Sequence, residues 1–190
     1  MERSVIRGKP LRMVHYRRNF MPGGTFFFTV TLEDRRSSLL VEHVGLLRAA
    51  FRAARAKKPF TLDAIVILPE HLHAVMTLPP EDADFSDRWR QIKSHFTRAV
   101  VAAGVPVSAN HRGEYGLWQR RFWEHTVRNE RDFERCVDYT HYNPAKHRLV
   151  SSPADWKHSS LHRYIRQGIL PSDWGGSGAA HNGDFGERKD

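Results

Sequence analysis

Two apolar runs separated by a two-residue break constrain this fold more than any other stretch. The first run is Phe60 to Leu68, the break is Pro69-Glu70, and the second run is His71 to Met76. Their length and content predict two consecutive strands. Because side chains two apart on a strand point to the same side, His71 and His73 should share one face of the sheet.

The paired imidazoles on this strand are the first candidate functional group. Imidazole is the commonest metal-ligating side chain and also a general base near neutral pH. A single histidine is more often a packed or surface residue, so from these residues alone both metal binding and simple packing stay open. Glu70 lies next to the pair and could orient a ligand.

A second candidate lies at Asp138 to Pro144. Tyr139 and Asn143 are four residues apart, and on a helix such residues lie on one face about 5–6 Å apart at Cβ. In isolation, Tyr139 would suit a core tyrosine, and Asn143 before Pro144 would suit a helix-ending residue. Because proline penalises helix at the residue before it, the sequence predicts that this helix ends at Pro144.

The remaining elements follow from periodicity and from proline and glycine breaks. Aromatic and β-branched residues predict a first strand, 3.6-residue spacing predicts two amphipathic helices, and an aromatic, arginine-rich run leads into a last strand. The order strand, helix, strand, strand, helix, strand, helix is consistent with a ferredoxin-like α+β fold, with the Tyr139 helix alone on one face. The predicted segments are strand 25–32, helix 41–57, helix 85–103, the 117–125 run, and a short helix 155–168.

Charge and cysteine content narrow the function classes. A net charge of +9 over 190 residues indicates an acidic partner such as nucleic acid, although a solvated basic surface is the plainer alternative. The single Cys136 excludes an intrachain disulfide framework. No run of about 18 apolar residues is present. We therefore expect a cytoplasmic, nucleoid-associated protein without a membrane span.

Four motifs in order resemble those of the REP-associated branch of HUH single-tyrosine transposases. A lone His-x-His pattern is frequent by chance, whereas four motifs in the expected order are specific. They span roughly residues 13 to 174 and comprise Leu68-Pro69-Glu70-His71-Leu72-His73, then Arg121 to Arg128, Asp138 to His147, and Asp155-Trp156 leading to Ser159 to Arg163.

The resemblance implies an enzyme that cleaves and rejoins single-stranded DNA. Tyr139 would be the nucleophile and would form a 5′-phosphotyrosine. The implied ligands of a divalent metal are His71, His73 and Asn143, and two imidazoles with an amide oxygen suit Mg²⁺ or Mn²⁺. Supporting roles would fall to Glu70, Lys146 and His141.

The resemblance also implies a partner, namely single-stranded DNA with REP-type palindromic hairpins. Basic segments interleaved with aromatics are compatible with it. We expect a monomer, with a homodimer as the alternative, built from a flexible basic extension 1–12, one transposase domain 13–174 and a mobile tail 175–190. The predicted DNA contacts are Tyr16, Arg17, Arg18, Arg120, Arg121, Arg163 and Arg166.

Three other functions remain open at this stage. The chain could be a DNA-binding regulator that keeps the fold without cleaving. It could be a metal-dependent hydrolase in which water replaces Tyr139 as the nucleophile. It could also be a replication-initiator nuclease of the same HUH superfamily.

Overall fold

A computed structural model describes residues 20–109, 111, 113 and 115–176. Within these residues four strands form an antiparallel sheet in the order β2-β3-β1-β4. This is the predicted ferredoxin-like α+β arrangement, and it is confirmed. The strands are β1 (Thr25–Thr31), β2 (Thr61–Ile67), β3 (His71–Thr77) and β4 (Trp123–Thr126).

Helices cover both faces of this sheet. Two longer helices pack on one face over a core that includes Phe26, Phe28 and Trp89. A single helix packs on the other face, where its residue Cys136 joins Phe27, Ala64 and Val75 of the sheet in a second core. The helices are α1 (Leu39–Glu42), α2 (Val44–Lys57), α3 (Phe85–Ala102), α4 (Glu130–Lys146) and α5 (Leu161–Arg166). None of the described helices is both long and apolar enough to cross a membrane.

The Pro69-Glu70 break is a tight hairpin turn, as the sequence predicts. Leu68 N donates to His71 O at 2.9 Å, which closes the turn between β2 and β3. Two further bonds hold it from outside, because Leu32 N donates to Glu70 O at 2.8 Å and Leu40 N donates to Pro69 O at 3.1 Å. The turn that precedes the paired imidazoles is therefore fixed by three backbone hydrogen bonds, two of them from other segments.

Two predicted helices are divided. The helix expected over 41–57 is interrupted at His43, which ends α1 and begins α2. The helix expected over 155–168 consists of a 3-10 turn (Pro153–Asp155) and the shorter α5. Between them, Trp156 Nε1 donates to Ile67 O at 2.9 Å and Ser160 N donates to Ile65 O at 2.8 Å. This extended segment covers the outer edge of β2, and an exposed sheet edge needs such protection.

The prediction that α4 ends at Pro144 is wrong. The helix continues to Lys146, with Pro144 buried in its last turn. Proline here removes only the bond that its N–H would give to the Thr140 carbonyl, and the chain is already close to the helix end. His147 N still bonds to Asn143 O at 3.0 Å. Asn143 and Lys146 consequently remain on one regular helix with Tyr139.

Arg88 on α3 belongs to the interior of the protein and not to its basic surface. It is fully buried, and its Nη2 atom donates to Asp82 Oδ2 at 2.7 Å and to Pro59 O at 2.6 Å. Asp84 caps the same helix by accepting from Asp87 N at 3.0 Å. Arg88 therefore ties the start of α3 to the segment entering β2, which is a structural role.

Candidate active site

The two imidazoles lie on the sheet face that α4 covers. In the antiparallel register of β1 and β3, His71 pairs with Thr31 and His73 pairs with Thr29. Both histidines are buried. Their ring centroids are 4.9 Å apart with the planes at 81°, so the prediction that they share one face is confirmed in space.

His71 is oriented by the carboxylate that precedes it. Its Nδ1 atom lies 2.8 Å from Glu70 Oε1, and Arg35 Nη2 lies 3.6 Å from the same oxygen. Burial raises the pKa of the Glu70 carboxyl, but the hydrogen bond with His71 and the charge of Arg35 outweigh it and hold the pKa below its usual range. An ionised carboxylate only accepts, so His71 donates through Nδ1 and carries the lone pair on Nε2, the ring nitrogen away from Glu70.

His73 is oriented by β1. Its Nδ1 atom lies 3.0 Å from Thr29 Oγ1. Its ring stacks on Phe27 with centroids 5.4 Å apart. With Nδ1 engaged in both histidines, Nε2 is the atom of each that can ligate an ion, an arrangement usual for metal-binding histidines.

Tyr139 lies against this pair. Its ring centroid is 5.3 Å from that of His73 and 5.7 Å from that of Phe27, both edge-on. The side chain is buried, yet its hydroxyl faces a charged group, because Lys146 Nζ donates to Tyr139 Oη at 2.8 Å. The same ammonium lies 4.5 Å from the ring centroid. A positive charge at that distance favours the phenolate form of the oxygen.

Helical spacing brings further side chains to the same place. Asn143 is buried one turn after Tyr139, and Lys146 lies one turn later again. The ring of His147 lies 5.2 Å from that of His71. His147 was not predicted to belong to the site, although it lies four residues after Asn143. The expected helix end at Pro144 obscured that helical spacing.

His141 does not join this group, which corrects its expected supporting role. It is two residues from Tyr139, so it projects from roughly the opposite side of α4. Its Nε2 atom lies 2.9 Å from Ser160 Oγ, and its ring contacts Tyr164 at 4.7 Å. Burial lowers the pKa of His141 to about 3. It joins α4 to the C-terminal segment.

A basic, aromatic groove lies on the other face of the sheet, between α3 and the segment before β4. It encloses about 890 Å³. Lys93 Nζ lies 5.7 Å from the Trp118 ring centroid and 5.6 Å from that of Phe122. Arg98 and Arg120 are exposed at its walls, and Arg121 is exposed next to Arg120. The predicted contacts Arg120 and Arg121 thus lie on or beside the groove.

The other predicted DNA contacts lie elsewhere. Arg163 and Arg166 are on α5, beside the β2 edge and so at the opposite edge of the sheet from β4. Arg163 Nη2 donates to the carbonyl oxygens of Leu62 and Asp63, which occupies its guanidinium in the fold, whereas Arg166 is exposed. Tyr16, Arg17 and Arg18 lie outside the described residues.

The donor set on the α4 face suits a divalent cation. Imidazole nitrogens from His71 and His73 with the amide oxygen of Asn143 would give three ligands of intermediate hardness and leave positions for substrate oxygens. Elsewhere in the described chain, His125, Asp132 and Cys136 also bring potential ligand atoms within 4.8 Å of one another. That second group was not singled out from the sequence, since its members come from a strand and a helix.

Two known proteins similar in sequence to this chain share one family name. A REP-associated tyrosine transposase of Escherichia coli K12 is 44% identical over 164 residues, which is 86% of this chain and 92% of that protein. A relative from Haemophilus influenzae with the same family name is 41% identical over 167 residues, covering 87% and 95%. No protein-family model matches the chain.

A solved structure agrees with these relatives. A REP-associated tyrosine transposase bound to a REP hairpin superposes with a TM-score of 0.82 at 43% identity. The match covers 94% of this chain and 99% of that one.

Proposed function

This chain belongs to the family of REP-associated tyrosine transposases, and from that premise we propose that it cleaves and rejoins single-stranded DNA beside REP hairpins with Tyr139 as the nucleophile. Membership of the family makes the chain an enzyme that acts on DNA and implies a divalent metal. The observation that carries the proposal is the contact of the Tyr139 ring with His73, combined with the hydrogen bond from Lys146 to the phenol oxygen.

Tyr139 supplies the bond-making atom. The phenol loses its proton to solvent and its oxygen attacks the phosphorus. The P–O3′ bond breaks, the 5′-phosphate remains on the tyrosine, and the 3′-oxygen takes up a proton from solvent and leaves as a hydroxyl. The reverse attack by a 3′-hydroxyl rejoins a strand and regenerates Tyr139. No nucleotide hydrolysis is needed, since the ester bond is exchanged rather than lost.

Lys146 has two tasks in this scheme. Before reaction its ammonium holds the phenol oxygen and favours the negative charge that makes it nucleophilic. As the bond to phosphorus forms, the flexible lysine stem lets the ammonium follow charge onto the phosphate oxygens. Because Tyr139 is buried beneath it, Lys146 must move for DNA to reach the oxygen.

His71, His73 and Asn143 would hold the metal, for which we propose Mg²⁺ or Mn²⁺. A divalent ion held by these residues would supply Lewis-acid polarisation of the scissile phosphate. Glu70 keeps His71 in the ligating tautomer, and the contact with Thr29 orients the ring of His73. Orienting the two histidines in advance lowers the cost of assembling the site.

A single copy of the chain contributes all these groups. His73, Tyr139 and Lys146 meet within one protomer, so no residue of a second copy is needed to bring nucleophile and ligands together. This supports the expectation of a catalytically complete monomer.

The DNA would also contact the groove between α3 and the segment before β4. Lys93, Arg98 and Arg120 supply positive charge there, and Trp118 supplies a ring for stacking. The relative whose structure is solved binds a REP hairpin, and we propose the same class of ligand for this chain.

The decisive experiment is covalent trapping. Purified protein with Mg²⁺ or Mn²⁺ is incubated with a 3′-labelled single strand carrying a hairpin, and a denaturation-resistant adduct is expected. Tyr139→Phe should abolish the adduct while retaining hairpin binding, and Tyr142→Phe on the same helix serves as the matched control. Cleavage without an adduct would instead identify a water-using hydrolase, and binding without cleavage would identify a regulator.

A further inference from the structure

We infer that His125, Asp132 and Cys136 form a second metal site, suited to Zn²⁺, that fastens the Tyr139 helix to the edge of the sheet. One ligand atom from each residue lies within 4.8 Å of the other two. In a tetrahedral site with bonds of about 2.0–2.3 Å, neighbouring ligand atoms are about 3.3–3.8 Å apart. Small side-chain rotations would therefore bring the three into ligating positions.

The backbone explains why these residues meet. Asp132 and Cys136 are four residues apart in the first half of α4 and so share one face of the helix. His125 is on β4, where it pairs with Phe27 and so projects toward the α4 side of the sheet. The group thus spans a strand and a helix.

The donors differ in character from those of the catalytic site. Imidazole nitrogen, carboxylate oxygen and thiolate sulfur together favour Zn²⁺, whereas two imidazoles and an amide oxygen suit a harder ion. Cys136 is the only cysteine of the chain. The hydrogen bond of 2.8 Å between His125 Nε2 and Asp132 Oδ2 accounts for the approach of those two residues, but it does not account for the thiol beside them.

Neighbouring groups hold two of the ligands in place. Arg128 N donates to Asp132 Oδ2 at 3.1 Å, and the His125 ring stacks parallel to Trp123 with centroids 6.0 Å apart. Hydrogen-bonded and packed ligands of this kind are typical of metal sites. The side chains of His125 and Asp132 are 20% and 15% exposed, which gives an ion a route to the buried thiol.

Binding changes protonation without any redox step. In the free protein, burial and then the charge of Asp132 raise the pKa of the Cys136 thiol to about 12, so the sulfur carries its proton. Ligation releases that proton to solvent and forms the metal–sulfur bond. The proton between His125 and Asp132 moves to Nδ1 of the imidazole, leaving Nε2 to ligate.

The site would affect the nucleophile through the helix. Cys136 lies one turn before Tyr139, and Trp123 contacts Phe27 at 5.8 Å, which in turn contacts Tyr139. An ion joining β4 to α4 would stiffen the turn that positions the phenol.

Cobalt titration of the full chain tests the inference, because Co²⁺ bound to a thiolate gives an intense near-ultraviolet charge-transfer band. We expect this band in the wild type, expect it to saturate at one equivalent in His73→Ala, where the catalytic ligand set is incomplete, and expect it to be lost in Cys136→Ser. Zn²⁺ should displace the Co²⁺ and raise Tm in the two proteins that show the band. A wild type that shows no band, or a band that survives in Cys136→Ser, overturns the inference.

A second variant keeps the test valid if Cys136→Ser does not fold. Asp132→Asn retains a hydrogen-bond acceptor for His125 but removes the ligand charge, and should weaken Co²⁺ binding at least about tenfold. Unchanged affinity in this variant would contradict the site. Neither result depends on strand cleavage, so the outcome is independent of the proposed function.

Discussion

Single side chains decide whether the phenol of Tyr139 can react, and substitution of Lys146 tests this most directly. Lys146→Met removes the ammonium and keeps the length of the stem. We expect the single-turnover rate of adduct formation to fall roughly a hundredfold, as for loss of one charged donor at a developing negative charge, with hairpin affinity nearly unchanged.

Lys146→Arg is the matched control, because it keeps the charge and should recover part of the rate. A Lys146→Met rate equal to wild type would assign the lysine a packing role only. A fall in hairpin affinity with an unchanged rate would place it in DNA binding instead.

Glu70 should control metal affinity rather than chemistry. Glu70→Gln keeps the shape but lets the side chain turn an amide N–H toward His71, which disturbs the tautomer. We expect Mn²⁺ affinity, measured by calorimetry, to weaken about 10- to 100-fold. Glu33→Gln, which changes an exposed carboxylate just after β1, should leave the affinity unchanged. Equal affinities in Glu70→Gln and wild type would contradict the orienting role.

At the scale of elements, the junction of α4 with the C-terminal segment should be sensitive to acid. His141 is neutral in the fold because burial lowers its pKa to about 3, whereas the unfolded chain titrates near 6.5. The unfolded state therefore binds more protons as pH falls below about 6.5. The contribution of neutral His141 to the free energy of unfolding is therefore complete above pH 6.5 and is lost progressively toward pH 3.

Urea unfolding at pH 7, 6, 5 and 4 measures this effect. His141 should add up to about 1.4 kcal/mol per pH unit to the loss of stability, and His141→Gln should remove that part of the slope. His158, whose pKa burial also lowers, remains in both proteins. An identical slope in wild type and His141→Gln would contradict a buried neutral imidazole.

Elements were predictable from the sequence where a local pattern decides them. Two-residue alternation was enough to place His71 and His73 on one face, and 3.6-residue spacing was enough to place Tyr139 and Asn143 together. The predicted end of α4 at Pro144 was wrong because the energetic penalty of a proline depends on how many helical hydrogen bonds it removes. Near the end of α4 only one is lost.

Partners distant in the chain were not predictable. The buried role of Arg88 is one example, because the sequence does not show that Asp82 and the Pro59 carbonyl converge on it. Thr29 gained its role from the pairing of β1 with β3, and His125 gained its neighbours from the packing of β4 on α4. In each case tertiary contacts, not local propensity, set the role.

For the molecule as a whole, the net charge of +9 should make DNA binding strongly dependent on salt. We expect the basic residues that line the groove to contribute most to hairpin binding. Lys93→Ala and Arg120→Ala should each weaken hairpin binding and reduce the slope of log K against log salt by about 1. Fluorescence anisotropy over a range of NaCl concentrations measures both quantities.

Lys57→Ala provides the control for the groove. Lys57 is exposed at the end of α2 and outside the groove, so its removal changes net charge equally without removing a proposed contact. If Lys57→Ala changed the slope as much as Lys93→Ala, the binding would depend on overall charge and not on the groove.

The pairing of β1 with β3 has a consequence for how such an enzyme can change. One added or deleted residue in the hairpin turn would slide β3 by a single position and exchange its two faces. The imidazoles would then be driven among the phenylalanines beneath α3, while leucine and methionine would meet the scissile phosphate. Activity should therefore depend on the number of residues in the Pro69-Glu70 turn as much as on the histidines themselves.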